Sequence, residues 1–267
     1  MKKFLIMSIL SLVCLTSFAA KFEPSEAVNF IKAKDWTGLQ NYMKTNTELQ
    51  TQSHKKLVVT LNLIVRSKIT KDITKENLIQ EIQKAAKENN LTKEDQLYLL
   101  YSSRTFTKDL TIQESAKLTL DYFAENNFKI QDLNHGNLQS IYYSYLQLND
   151  IKNATIIYKE IIKQSKSKHT VTAATNSYNG RVNQFSFEEK LEYAKMLNEN
   201  PELYIKSAKE LEQVIDMLAQ ITDQKYDELV KGLYIKLNRI FYKNISKSDD
   251  WKLPLVKLQL QMKAYNI

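Results

Sequence analysis

The sequence predicts an all-α protein of antiparallel helical hairpins, and three observations predict it. Only 4 Gly and 3 Pro occur among 267 residues, far below the ordinary ~7% and ~5%, so the tight turns of a many-stranded fold have too few residues to make them. Apolar side chains recur at spacings of three and four along most of the chain, which gives each segment one apolar stripe. Hydroxyl residues followed three positions later by an acid mark where such segments begin. A pair of helices cannot bury both stripes alone, so about six hairpins are expected to stack as a right-handed α-solenoid.

The opening stretch, MKKFLIMSILSLVCLTSFAA, stands apart from the rest. Lys2 and Lys3 precede an apolar run from Phe4 to Leu15, and Ser17 and Ala19 give the small-x-small pattern for cleavage after Ala19. Residues 1–19 read as a secretory signal peptide, since the run is too short to span a membrane, and residues 20–267 read as one helical domain. Val13 before Cys14 excludes lipid attachment at that cysteine. Cleavage takes two of the 38 basic residues and none of the 30 acids, leaving 36 against 30. It also takes the only Cys, so the mature chain is expected to hold no disulfide or thiolate metal site and to depend on packing. No second apolar run of ~18 residues follows. The expected location is periplasmic or otherwise secreted.

Pro24-Ser25-Glu26 opens a first helix through Ala33, with Ser25 as its cap, and Asp35 starts another in which Trp36, Leu39 and Tyr42 share a face. From Ser53 to Lys68 the residues Leu57, Leu61, Ile64 and Val65 keep helical spacing. The β-branched run Val58-Val59-Thr60 suits a strand, but the periodicity persists across it and decides for helix. Thr74 is expected to begin the next helix, with Leu78, Ile82 and Ala85 on one side. Thr92 with Asp95, Thr111 with Glu114 and Ser186 with Glu189 then set helix starts at Lys93, Ile112 and Phe187, because hydroxyl and carboxylate satisfy the loose donors of a first turn reciprocally. These helices should end near Ser103, Glu125 and Asn198. Asn200-Pro201 opens one more, in which Tyr204, Ala208, Leu211, Ile215 and Leu218 form a single seam. Between Gln164 and Gln184 the periodicity fails. That stretch is an irregular connection or, preferably, contains a less regular helix around Val171 to Tyr178. After Asp223 two further helices are separated near Ser246-Lys247-Ser248, the first clustering Leu229, Leu233, Leu237 and Ile240.

The clearest hairpin runs from Leu138 to Lys163. Ile141, Tyr145 and Leu148 recur before the turn at Asn149-Asp150, and Ala154, Ile157, Tyr158 and Ile161 recur after it. These residues resemble the tetratricopeptide repeat, a helix-turn-helix unit of about 34 residues. In that family a small residue early in the second helix lets the pair approach closely and an aromatic four positions later fills the groove. Ala154 and Tyr158 hold that spacing, Tyr145 and Ile141 stand where the first helix offers its knobs, and Asn149 occupies the turn. The chain departs from the pattern at Leu138, where the family has Trp, at Tyr142, where it prefers a small residue, and near Lys166, where no Pro ends the unit. The resemblance is strongest in this hairpin and weak elsewhere. It implies a superhelix whose first helices line a concave groove, in which Gln139, Tyr143 and Gln147, spaced four apart, would face a protein or peptide ligand.

Catalytic constellations are sparse. Phosphate-cradling loops and dinucleotide folds need clustered glycines, whereas Gly38, Gly136, Gly180 and Gly232 are isolated, which also excludes a G-x-S-x-G elbow. His54, His135 and His169 lie far apart and form no H-E-x-x-H pair, so no metal or cofactor is expected. Glu114-Ser115 superficially resembles the catalytic Glu-Ser of peptidoglycan lytic transglycosylases, which are exported helical superhelices. The glycine-containing segment that follows in that family is missing, and Glu114 already has a role as the partner of Thr111 in a helix cap.

The basic surplus is the remaining signal. Lys159, Lys163, Lys166, Lys168 and His169 cluster after the central hairpin, and Lys231, Lys236, Arg239 and Lys243 edge an apolar stripe with no acid between them. Lys163, Lys166, Lys168, Lys236, Arg239 and Lys243 make the candidate basic patch. No nucleic acid is expected, since there is no aromatic-and-Gly RNA motif. The expected function is that of an exported scaffold or interaction protein that binds a protein or peptide partner in the cell envelope and catalyses nothing. The alternatives are an all-helical enzyme acting on cell-wall or polysaccharide substrates through carboxylates, and lysine-mediated contact with anionic envelope polymers.

Overall fold

The described residues of the computed structural model, 24–46, 49, 51, 54–165 and 168–267, hold fourteen α-helices and short 3-10 helices, and no strand. The expected signal segment, residues 1–19, lies outside them. The helices fall into two compact units, one ending at Ile161 and the other starting at Ile162.

The first unit holds α1 (Pro24–Ala33), α2 (Trp36–Thr45), α3 (Lys55–Ile69), α4 (Leu78–Glu88), α5 (Lys93–Tyr101), α6 (Ile112–Glu125), α7 (His135–Gln147) and most of α8 (Ile151–Gln164). Packing is largely between successive helices: α1 on α2, α2 on α3, α4 on α5, α5 on α6 and α6 on α7. In addition α5 packs on α7. Small side chains make room for these contacts. Ser115, Ala116 and Thr119 on α6 and Gly136, Ser140 and Ser144 on α7 are all buried. Their hydroxyls are satisfied largely within their own helix, Ser140 Oγ donating to Gly136 O at 2.9 Å, Ser144 Oγ to Ser140 O at 2.8 Å and Thr119 Oγ1 to Ser115 O at 2.8 Å. Val59 and Thr60, β-branched as they are, sit inside α3, and Thr60 Oγ1 donates to Lys56 O at 2.8 Å.

Helix ends explain how so few glycines suffice. Among the described residues Lys34, Lys71, Asn90, Asn127, Asn149 and Asn266 take the left-handed conformation, with φ from 51° to 59°, and no glycine does. Each lies just past a helix, where that conformation turns the chain away and satisfies the last carbonyls. At the helix starts, the boxes Thr92–Asp95, Thr111–Glu114 and Ser186–Glu189 are closed in both directions.

Four local expectations need correction. Ser25, expected to cap the first helix, lies inside it, since the helix starts at Pro24. The buried aromatic of the central hairpin is Tyr142, fully buried and stacked on Tyr158 with centroids 5.9 Å apart, while Tyr145 is half-buried and Leu148 exposed. The helix expected from Thr74 begins at Leu78, because Thr74 N donates to Asn77 Oδ1 at 2.8 Å and Asn77 Nδ2 to Asp72 O at 2.7 Å, closing a turn first. The seam from Tyr204 to Leu218 belongs to two helices. Ile205 is extended, with φ −121° and ψ 111°, and Ser207 caps the next helix in a fourth box with Glu210.

The second unit holds α9 (Lys168–Asn179), α10 (Phe187–Glu199), α11 (Pro201–Tyr204), α12 (Ala208–Leu218), α13 (Asp227–Phe241) and α14 (Lys252–Ala264). α9 packs on α12, α10 on α13, and both α12 and α13 on α14. Its core contains a ring cluster: Tyr178 lies 4.9 Å from Phe185 and 5.1 Å from Tyr193, and Tyr193 lies 6.0 Å from Tyr204, all edge-on.

Candidate functional site

In the first unit the end of α1, the start of α2, the end of α3 and the connection from α5 to α6 border a cleft of about 670 Å³, a size ordinary for ligand sites. Ile31, Trp36, Ile73 and Phe106 give it apolar walls, and Lys34, Lys68, Lys71, Arg104 and Lys108 surround it with positive charge against one lining acid, Asp109.

Local rules place these groups. Asp35 caps α2 by accepting from Gly38 N at 2.8 Å, which fixes Trp36 at the first position of the helix. A Cβ at Gly38 would come within 2.7 Å of the Phe30 ring, so the glycine permits the close approach of α1 and α2. The turn that carries Lys71 is pinned by Arg66, whose guanidinium meets Asp72 at 2.6 Å and Glu81 at 2.8 Å. Within the α5–α6 connection Arg104 Nε donates to Leu110 O at 3.3 Å, and Lys68 Nζ reaches across from α3 to Thr105 O at 3.2 Å.

The five cations therefore differ in state. Lys68 is half-buried, and burial together with the charge of Lys108 pushes its ammonium below the usual lysine range. The side chains of Lys34, Lys71 and Lys108 are exposed and make no hydrogen bond or ion pair among the described residues. Asp109 adds to the field on Lys75, which is itself paired with Glu114. A concave surface with uncompensated positive charge concentrates anions.

The residues singled out in the sequence lie elsewhere. Gln139, Tyr143 and Gln147 follow one another along α7, each half-buried, with the Tyr143 ring 5.1 Å from that of Tyr142. None of them lines the cleft. Of the basic set, Lys163 is exposed near the end of α8, Lys166 falls outside the described residues, and the side chain of Lys168 is not described. Lys236 donates to the Asn198 carbonyl at the end of α10, Lys243 lies 3.7 Å from Glu202, and Arg239 is exposed on α13 between them. Two of these charges thus serve contacts inside the second unit. The sequence reading missed the cleft, because its lysines are single residues spread from Lys34 to Lys108. The one available signal was a lysine within two residues of the end of each of two helices.

Glu114 has a defined state as well. Lys75 first, then the Thr111 backbone N–H and hydroxyl, hold its carboxyl down at about 2. A catalytic acid needs the opposite shift. Ser115 is buried with its hydroxyl 2.9 Å from that of Ser103. A carboxylate with a depressed folded pKa stabilises the fold fully above its unfolded value, about 4.3, and this is lost as pH falls toward about 2. Glu114→Gln should therefore melt below the wild type at neutral pH, and the two melting temperatures should converge as the solution is acidified across that window. A constant gap would show that the charge of Glu114 is immaterial.

Among the described residues no three His, Cys, Asp or Glu side chains gather as a metal ion requires, and no helix is long and apolar enough to cross a membrane. Compared with protein-family models, curated proteins and solved structures, the chain finds no match.

Proposed function

We propose that the chain is an exported α-helical interaction protein that holds an acidic segment of a protein partner in the cell envelope and catalyses nothing. Its hairpins would stack within each unit in the manner of a right-handed tetratricopeptide-like α-solenoid. The packing of α5 on both α6 and α7, first helix against first helix, supports that arrangement. The observation that carries the functional reading is the charge of the cleft: three lysines without partners among the described residues, beside Trp36 and Phe106. Carboxylates of a peptide would meet the ammonium groups, and an apolar side chain between them would meet the half-buried Trp36 ring.

Hexaglutamate is the direct probe, with Trp36 fluorescence in a Trp251→Phe background as a readout at the site. Binding is expected at low salt and should weaken steeply as ionic strength rises to about 0.5 M, where screening acts over only a few ångströms. Lys71→Glu combined with Lys108→Glu should weaken it at least about tenfold by turning attraction into repulsion. Equal binding of hexaglutamine, or salt-insensitive binding, would overturn the proposal. Turnover of cell-wall glycan that one Asp or Glu substitution abolishes would establish the enzyme alternative instead.

A further inference from the structure

Among the described residues six non-glycine residues end helices in the left-handed conformation, and four of them are asparagine. Asparagine is the usual substitute for glycine there, because its short polar side chain tolerates the crowding of Cβ against the following carbonyl. The two exceptions are Lys34 at φ 59° and Lys71 at φ 55°. Both line the basic cleft, and none of the four asparagines does.

The fold itself asks for no lysine at either place. Lys34 N donates to Ile31 O at 3.2 Å and Asp35 N to Phe30 O at 2.9 Å, the same closing pair that Asn149 and Asp150 make with Leu146 O and Tyr145 O at 3.2 and 2.9 Å. Lys71 N closes its helix differently, donating five residues back to Arg66 O at 3.0 Å, the oxygen that Thr70 N also reaches at 3.0 Å. These are backbone bonds that any residue in this conformation supplies. The two ammonium groups brace nothing, since each side chain is exposed and without a hydrogen bond or ion pair among the described residues. A backbone conformation that a residue disfavours, kept at the edge of a cleft, indicates a side chain retained for what it binds.

We infer that Lys34 and Lys71 are the ligand-contacting pair of the cleft, and that the ligand they select carries several carboxylates on one chain. This rests on the proposed acidic partner and adds which residues hold it and at what cost to the fold. The multiplicity follows from the count of exposed, unpaired lysines lining the cleft: Lys34, Lys71 and Lys108 cannot all be neutralised by one carboxylate. Lys68 and Arg104 already donate to backbone carbonyls and serve as fixed background charge.

The test replaces each lysine by the residue that the other helix ends use. Lys34→Asn and Lys71→Asn, in the full chain, should each raise the melting temperature by about 1–3 °C through relief of backbone crowding. Each should weaken hexaglutamate binding by about five- to tenfold, measured calorimetrically at low salt. Asn149→Lys is the control: it should lower the melting temperature and leave hexaglutamate affinity unchanged. Acetate at equal carboxylate concentration should compete poorly with hexaglutamate. A wild type that does not bind hexaglutamate removes the proposed function and this inference together. A wild type that binds, with both Asn variants binding equally well, overturns the inference alone. So do Asn variants that melt lower, which would make the lysines structural, and acetate that competes as well as the peptide.

Discussion

Tyr158→Ala is expected to destabilise the first unit by about 3–5 kcal/mol, the range for removing a large buried ring, with the loss read from urea unfolding followed by circular dichroism. Tyr158 is fully buried, and its ring stacks on that of Tyr142 at an interplanar angle of 24°. Ala154, one turn earlier on α8, is also fully buried and leaves no bulk beside the ring. Truncation therefore opens a void between α7 and α8 that neither helix can fill with its own side chains. The stack is lost as well, and such a pair contributes about 0.5–1.5 kcal/mol beyond area alone. Tyr145→Ala is the informative comparison. Tyr145 is half-buried, so it should cost roughly 1 kcal/mol, near the average for a point change. If Tyr145→Ala proved the more damaging of the two, the hairpin would be closed on the face that the sequence pattern suggested rather than the one the structure shows.

That contrast shows how far periodicity reaches. A single apolar stripe describes α8 well, since Ala154, Ile157, Tyr158 and Ile161 are all buried. It fails for α7 because that helix packs on α5 and α6 and also stacks Tyr142 on Tyr158 of α8, so Leu138, Ile141, Tyr142 and Leu146 are buried together with Asn137, Ser140 and Ser144. A helix enclosed on several sides has no one stripe to read, and Tyr145 could not be separated from Tyr142 by spacing alone. Helix starts were legible wherever one side chain met a backbone donor three residues on, as at Thr111 and Glu114. The break before Ala208 carried the same signal in Ser207 and Glu210, but the longer apolar seam masked it. The cleft is a different matter. Its positive charge comes from helix ends and a connection brought together by α1–α2 and α2–α3 packing and by the Lys68 to Thr105 bond. No local window contains that proximity. What a window does contain, a run of lysines such as those on α13, turned out to be partly committed to the Asn198 carbonyl and to Glu202.

Asn179→Ala should cost the second unit about 2–4 kcal/mol, because it removes two buried hydrogen bonds at once. Asn179 ends α9 and is fully buried. Its amide donates to Tyr204 O at 3.0 Å, and its carbonyl accepts from the Tyr193 hydroxyl. One side chain thus joins the ends of α9 and α11 to the middle of α10, inside the ring cluster where no water replaces it cheaply. Tyr193→Phe removes only one of the two bonds and should cost about 1–3 kcal/mol. The double variant should cost less than the sum, since each single change already breaks the one bond that the two side chains share. Asn179→Asp separates donor from charge. At neutral pH the carboxylate cannot donate to Tyr204 O and must be buried ionised, so its folded pKa is raised and the variant should be the least stable of the series. Stability should return as pH falls through that raised value and the protonated acid regains a donor, the opposite of the acid limb expected at Glu114. The same variants should open residues 168–184 to proteases before the rest of the unit unfolds, because α9 is secured there by this amide and by its packing on α12. Cleavage no faster than in the wild type, with stability lost throughout the unit, would mean that Asn179 holds the whole core rather than the helix that ends with it.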